Sequence, residues 1–502
     1  FRASCQATEA CPLVYLYTSP LFPSSINAST RTPRGAFSCV CCNYYAVGLE
    51  SRTPKKKGVN KNVIHANPAF LETLAQSHSG WIFGAIAEIV DNSKDAQASK
   101  LDISVETHFS EMHGAKIPFL SLIDDGCGMS HDELVVMLSL GNKKFHEYDR
   151  ERIGKYGIGF KTGAMKLGSD VMVLTQTAES RSVAFLSQTY SKDKDELDLP
   201  IVSYRRNGSV MKLDTDVQTK TTANRYLSIM EKFSPFDQYF IGGKFALFGE
   251  SGQGTQVYIW NLEKSGLDFS LEWLRSNDGD TNKDDIIIRS KRTRQRFGQL
   301  GQKVPLDYSL RAYLEVIFLN PRMKISIQGS VVKSRLVAKS LVKTATVDGV
   351  IQGKPVQLIL GHCHEEWERL NSGIFLYWHG RLIEAYKRVG GMVQNSEKSR
   401  GVIGVADVTD VMRERGRDLV HNTKQAFEEC KAYEELEKWL GNEFDSYCNA
   451  YSEQPRGTCG IPNMSYNLQY RKWQLLALRV IQHRAIAPGI CCPTLTWKMH
   501  LL

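Results

Sequence analysis

Residues 85–96, AIAEIVDNSKDA, constrain this 502-residue chain more than any other stretch. A helical period sets Glu88, Asn92 and Asp95 on one face, while Ile82, Phe83, Ile86, Ile89 and Val90 make the other side apolar. That spacing predicts a helix that docks on a core and turns its polar edge to a cavity. A carboxylate one turn before an amide suits metal–nucleotide chemistry. The amide oxygen is a hard ligand for Mg²⁺, and the carboxylate is left free to orient or deprotonate a water. Many surface helices carry E-x-x-x-N, so the pattern gains weight only from its company.

Three further elements supply that company. In LSLIDDGCGMS (residues 120–130), the apolar run Phe119 to Ile123 reads as a buried strand ending in two aspartates and a glycine turn. Asp124 is then placed to accept a hydrogen bond from an exocyclic amine such as that of adenine, and Gly126 and Gly128 let a ligand approach the main chain. In IGKYGIGFKTGAMKLGSD (153–170), Gly154, Gly157 and Gly159 open a flexible loop, with Lys155, Lys161 and Lys166 within or just after it. Glycine-rich backbone running into a helix is a phosphate cradle, although a glycine-rich linker reads the same way. No G-x-x-x-x-G-K-[ST] loop occurs, and the cluster lacks the strand-first context of a dinucleotide fingerprint. The fourth element, GQGTQVYIWNL (252–262), feeds a glycine–threonine turn into a strand and brings the Thr255 hydroxyl to the same pocket.

In this order the four elements resemble the GHKL ATPases, the group of gyrase, histidine kinases, ninety-kilodalton heat-shock chaperones and MutL. Within that group the chain resembles the microrchidia (MORC) proteins, through FGAIAEIVDNSKDA, IGKYGIGFKTGAMKLGSDVMVLT and SLRAYLEVIFLNPRMKISIQGSVV (309–332). The last of these is similar to their S5-type transducer, as are residues 373–390 and 401–408. The resemblance implies an α+β protein: a Bergerat-type α/β sandwich over residues 61–265, then an S5-like α/β transducer over 266–447. It makes Glu88 the general base and Asn92 the Mg²⁺ ligand. Asp95, Asp124, Gly126, Gly128, Met129 and Thr255 would surround the nucleotide, and Gly154, Lys155, Tyr156, Gly157, Gly159, Phe160 and Lys161 would cover its phosphates. HNTKQAF (421–427) is similar to the loop carrying the family's phosphate-sensing lysine, here Lys424, with Thr423 as one residue more than the family pattern.

ATP and Mg²⁺ are the implied cofactors. Binding would order residues 141–161 as a lid and drive homodimerisation, or heterodimerisation with related MORC proteins. The implied partners are DNA and chromatin, the place the nucleus, and the outcome gene silencing through heterochromatin condensation. Two alternatives share these motifs: a non-catalytic nuclear adaptor that keeps the fold, and a mismatch-repair or chaperone-type ATPase.

Composition narrows the field further. Hydrophobic residues at 42% and charged residues at 23% fit a globular chain, and no apolar run is long enough to cross a bilayer. The net charge of +9 resides in the ends: residues 1–60 and 448–502 each carry +5, leaving the body at −1. One local cluster, Arg289, Lys291, Arg292, Arg294 and Arg296, follows an acidic, polar stretch (277–285) and reads as an exposed loop, either solvated or touching a phosphate backbone. Of twelve cysteines, five fall in the first 42 residues, and the Cys39–Cys42 pair lacks a second pair at zinc spacing, so the body reads as reduced and intracellular. Residues 1–60 read as a disordered or targeting leader, with Lys55, Lys56 and Lys57 a weak import patch. Residues 428–447 predict a helix whose stripe Phe427, Cys430, Tyr433, Leu436, Leu440 and Phe444 packs into a core. Beyond it the basic tail shows no heptads, and the expectation is a fragment or short isoform.

Overall fold

The computed structural model describes residues 67–452 apart from 112–113, 140–151, 156, 250–251, 275–283, 293–295, 297–303 and 395–398. The expected leader (1–60) and its lysine patch, Cys39 and Cys42, nearly all of the basic tail, most of the lid, Tyr156 and Arg294 lie outside the described residues.

After a short helix α1 (Phe70–Ala75), helix α2 (Ile82–Asp95) carries the E-x-x-x-N motif. Strands β1 (Lys100–Ser110) and β2 (Ala115–Asp124) follow as an antiparallel pair, then helix α3 (His131–Leu138) and helix α4 (Gly159–Leu167). Helix α4 runs directly into β3 (Gly168–Gln176), which is succeeded by β4 (Ser180–Ser187), β5 (Ile201–Asn207), β6 (Val210–Leu213) and β7 (Gly254–Leu262). These strands form one nine-stranded sheet in the order Ser330–Val331, Lys324–Ile327, β1, β2, β7, β3, β4, β5, β6.

Alternation of side chains explains why its central strands are apolar throughout. Leu120, Leu122, Val171, Val173, Val257 and Ile259 face one core with α2 and α4, while Phe119, Met172, Leu174, Tyr258 and Trp260 face a second, aromatic core with Phe236 and Phe245. A strand buried on both faces loses the polar–apolar alternation of a half-exposed one. The run read from Phe119 to Ile123 is such a strand.

The segment 309–332, which the sequence groups with the second domain, divides between both. Its helix Leu310–Val316 packs against the strand Asp285–Ile288, but Lys324–Ile327 pairs in parallel with β1, from Lys100–Lys324 to Ile103–Ile327. Apolar side chains decide this: Ile325 and Ile327 are buried in the same core as Leu101 and Ile103.

The second sheet has five strands in the order Val342–Ile351, Lys354–His362, Val402–Asp407, Gly373–Trp378, Arg381–Lys387. Helix Lys431–Ser452 crosses it, burying Tyr433, Leu436, Leu440, Phe444 and Tyr447. It starts three residues later than the periodicity suggests, because Phe427 is held in a bridge with Val420. Asp285 also departs from expectation. Read as the end of an exposed acidic loop, it opens a buried strand and accepts hydrogen bonds from Ser309 Oγ (2.5 Å) and the Arg311 N–H (2.9 Å). Among the described residues no helix is long and apolar enough to cross a membrane, and the four described cysteines (127, 363, 430, 448) are free.

Candidate active site

Helix α2 is buried on more than its apolar side. Ile82, Phe83, Ile86, Ile89 and Val90 enter the core as the spacing predicts, but Glu88 (3% exposed) and Asp91 (0%) are buried too. Such carboxylates are tolerable only when countercharged. The countercharges come from the second domain: Lys424 Nζ donates to Glu88 Oε2 at 2.6 Å and lies 3.2 Å from Asp91 Oδ2, while Arg381 Nε donates to Asp91 Oδ1 at 2.9 Å. Lys424 (3%) and Arg381 (2%) are equally buried, so four alternating charges sum to zero. Burial pushes the Glu88 carboxyl above its usual range, opposed by Lys424 and reinforced by Asp91. For Lys424 burial pulls downward, and the two carboxylates outweigh it and hold the ammonium above its ordinary value.

Local geometry delivers Lys424 to this point. Residues 421–427 form a hairpin tip in which the His421 N–H bonds the Ala426 carbonyl (3.0 Å) and the Lys424 N–H returns to the His421 carbonyl (2.8 Å). Lys424 has φ +53°, a left-handed conformation that a lysine holds only where its surroundings over-determine it. Next to it, Gln425 Nε2 donates to His78 Nδ1 (3.0 Å), and the His78 Nε2 side meets Thr162 Oγ1 on α4 (3.3 Å). Burial, then Lys424, then Lys166 push His78 down to about 4, so the ring is neutral and accepts from Gln425.

Helix α4 closes over Glu88 through two small residues. A Cβ at Gly159 would overlap Glu88 Oε2, and one at Gly163 would sit 2.6 Å from the Ala85 carbonyl. Gly159, read from sequence as part of the lid loop, is therefore the first residue of a helix, and its bareness makes room for the carboxylate.

At the far end of α2, Asp95 accepts from the N–H groups of Ile153 (3.1 Å) and Gly154 (2.7 Å), fixing the start of the glycine-rich segment. Asn92 sits between these anchors, with its Oδ1 3.5 Å from where a Gly154 Cβ would be. A second wall is built around Asp124. Its Oδ2 accepts from Ser93 Oγ and its Oδ1 from the Gly126 N–H, both at 2.9 Å. Burial pushes Asp124 up, and those bonds pull it back. Gly128 has φ +68°, and a Cβ there would overlap the Gln176 carbonyl. Thr175 Oγ1 ties this wall together: it accepts from the Met129 N–H (2.8 Å), donates to the Gly254 carbonyl (3.2 Å) and meets Thr255 Oγ1 (3.3 Å).

The two lysines expected over the phosphates, Lys155 and Lys161, and the neighbouring Lys166 are not gathered at one point. Lys155 Nζ bonds Asp418 (2.7 Å) and His379 Nε2 (3.1 Å) of the second domain. Lys161 Nζ donates to the carbonyls of Met137 (2.6 Å) and Gly157 (2.7 Å), and its burial pushes it down to about 8. Lys166 pairs with Glu263 at 2.8 Å, and Phe160 lies in the core. In the basic cluster, Arg296 binds Asp307 and donates to the Ala385 carbonyl (2.8 Å), while Arg289 pairs with Asp268 (2.8 Å). These two guanidiniums thus have protein partners.

Sequence reasoning missed Asp91, Arg381, Ser93, Thr175, His78 and Gln425. Asp91 had a visible signal, three residues after Glu88 on a helix. Arg381 had none, because its partner lies 290 residues away.

A buried glutamate on α2, an aspartate at a strand end and a lysine delivered from a following domain define the GHKL class of ATPase domain. A family model described as histidine kinase-, DNA gyrase B- and HSP90-like ATPase matches residues 80–219. A second, for the Morc6 ribosomal protein S5 domain 2-like fold, matches residues 308–448. The chain belongs to the microrchidia (MORC) family. It is 30% identical over 400 residues to mouse MORC family CW-type zinc finger protein 3, covering 76% of this chain and 39% of that protein. Against Protein MICRORCHIDIA 6 of Arabidopsis thaliana it is 30% identical over 430 residues (80% and 60%), and against human ATPase MORC2 24% over 472 residues (77% and 43%). The chain thus spans between about two fifths and three fifths of these relatives' lengths.

Proposed function

We propose that this chain hydrolyses ATP and uses the bound triphosphate to close a dimeric clamp on DNA or chromatin in the nucleus, in the manner of a gene-silencing MORC ATPase. One observation carries this reading: a buried carboxylate on α2 held at 2.6 Å by a lysine from the second domain. Glu88 then has the role of general base and Lys424 that of γ-phosphate sensor, so chemistry in one domain is felt in the other.

Asp124 accepts the adenine amino group beside its bonds from Ser93 and Gly126, since a carboxylate has about four acceptor sites. The close approach of Gly128 to β3 leaves the base space against the main chain. Glu88 takes a proton from water as the water oxygen bonds to the γ-phosphorus. The β–γ bridging P–O bond breaks, its electron pair leaves with ADP, and inorganic phosphate is the second product. Mg²⁺, when bound, would neutralise charge on the phosphate oxygens. The fit of this chain to it rests on the Asn92 amide, which makes no side-chain hydrogen bond among the described residues and offers a hard oxygen next to Gly154. One protein oxygen plus phosphates and waters is an ordinary Mg²⁺ set.

Size-exclusion chromatography with light scattering tests the clamp on the full chain, with and without a non-hydrolysable ATP analogue and Mg²⁺. A monomer that dimerises only with the analogue supports it. Phosphate release by wild type, lost ~10²–10⁴-fold in Glu88→Ala with nucleotide binding retained, supports the enzyme. No turnover in wild type and no response to the analogue favour the non-catalytic adaptor.

A further inference from the structure

The ion network is larger than the proposed reaction uses. Glu88 and Lys424 have roles in it, whereas Asp91 and Arg381 have none, yet both are buried as deeply. A staple between domains does not need charge, since an apolar pair of similar volume holds a buried contact as well or better. The Arg381 guanidinium is instead fixed on three sides: Nε on Asp91 Oδ1 (2.9 Å), Nη1 on the Leu382 carbonyl, and its centre 5.6 Å from the Tyr313 ring centroid. Only its contact with Asp91 points towards the reacting groups.

Asp91 is held at one oxygen and open at the other. Oδ1 carries the Arg381 bond. Oδ2 is buried and makes no hydrogen bond, although Lys424 Nζ stands 3.2 Å away as an ion partner. The bond from Lys424 goes to Glu88 instead. In this arrangement the sensing lysine covers the base, and a second acceptor stands within its reach.

We propose that Asp91 and Arg381 are positioning residues of the phosphate site: Arg381 clamps Asp91, and Asp91 Oδ2 is the pivot on which Lys424 turns when a γ-phosphate draws it off Glu88. This rests on the ATP-hydrolase reading above. While Lys424 caps Glu88, water cannot lose a proton there. The γ-phosphate removes the cap, and Asp91 keeps the ammonium countercharged and near the phosphate instead of letting it leave the core. ADP has no γ-phosphate, so it leaves the cap in place. Asp91 and Arg381 therefore act on the hydrolytic step and not on adenine recognition, which lies at Asp124 and Thr255.

The test uses the full chain and four variants: Asp91→Asn, Arg381→Gln, Arg381→Lys, and Asp91→Asn with Arg381→Gln together. kcat and KM for ATP, ADP affinity by calorimetry, and thermal midpoints are measured for each. The expected result is a kcat at least about tenfold lower in D91N and R381Q, with ADP affinity within about twofold of wild type. The double variant loses no more than the worse single, because both residues act through one contact. R381K, which keeps the charge, recovers part of the loss. Should R381Q fail to fold, the uncharged double variant and R381K still decide. The proposal is overturned by kcat values within twofold of wild type, by losses that multiply in the double variant, or by ADP affinity falling in step with kcat. Wild type that turns over no ATP overturns the enzyme reading as well, whereas a working wild type with multiplicative variants overturns the pivot alone.

Discussion

Adding one methyl group at Gly159 is the sharpest perturbation this site offers. A Cβ there would be 2.9 Å from Glu88 Cδ and about 1 Å nearer to Oε2 than the 3.0 Å that real Cβ atoms respect. A free glutamate would swing aside, but this one has its Oε2 in the bond to Lys424 at 2.6 Å. Drawing the pair apart by about 1 Å weakens its attraction by roughly 2 kcal/mol at an effective dielectric of 20. Misplacing a reacting group by that distance lowers turnover by about 10²-fold. Ordinary helix propensity predicts the opposite sign for stability, since Gly→Ala gains roughly 0.5–1 kcal/mol where nothing is in the way. Gly159→Ala is therefore expected to lower both the melting temperature and kcat while ADP binds as before at Asp124. Phosphate release, calorimetric ADP affinity and a thermal melt measure all three. A variant that melts higher and turns over within twofold of wild type would refute the packing argument and the role of Glu88 with it.

Other outcomes follow from neighbouring contacts. His78 titrates near 6.5 when unfolded and about 4 when folded, so the unfolded chain binds the extra proton and stability falls as pH drops through that window. The loss reaches about 3 kcal/mol at its acid end, and His78→Asn should flatten denaturant stability measured between pH 6.5 and 4. Thr175→Val strands the Met129 N–H and the Gly254 carbonyl, which should cost about 2 kcal/mol in a urea melt and weaken ADP binding by calorimetry. Ser130 and Glu133 form a reciprocal capping box on α3, so Ser130→Ala should lower stability by about 1 kcal/mol without changing kcat.

Local periodicity made one half of the site legible. Glu88, Asn92 and Asp95 recur at helical spacing, and Asp124 ends an apolar strand, so α2, β2 and the placement of Asp124 follow from residues close in sequence. The glycine-rich segment was harder. Glycine density suggests a loop, but Gly159 and Gly163 are small because α4 lies against α2, a reason that exists only once the helices meet. The lysines are a related case: Lys155 and Lys161 have carboxylate and carbonyl partners that spacing cannot reveal. Lys424 was located only through resemblance, and Thr423 falls within the turn that bonds Lys424 back to His421.

The parallel pairing of Lys324–Ile327 with β1 has a practical consequence for anyone dividing this chain. A fragment ending after Ser265 would keep every residue proposed for adenine, and all of those proposed for the phosphates except Arg381 and Lys424, but leave the outer side of β1 with unsatisfied N–H and carbonyl groups. Such an exposed edge invites another chain to zip onto it. The fragment would self-associate whether or not ATP is present, and that aggregation would imitate a clamp. Any minimal ATP-binding piece has to run through Val331, so that the chain covers its own edge before dimerisation is measured.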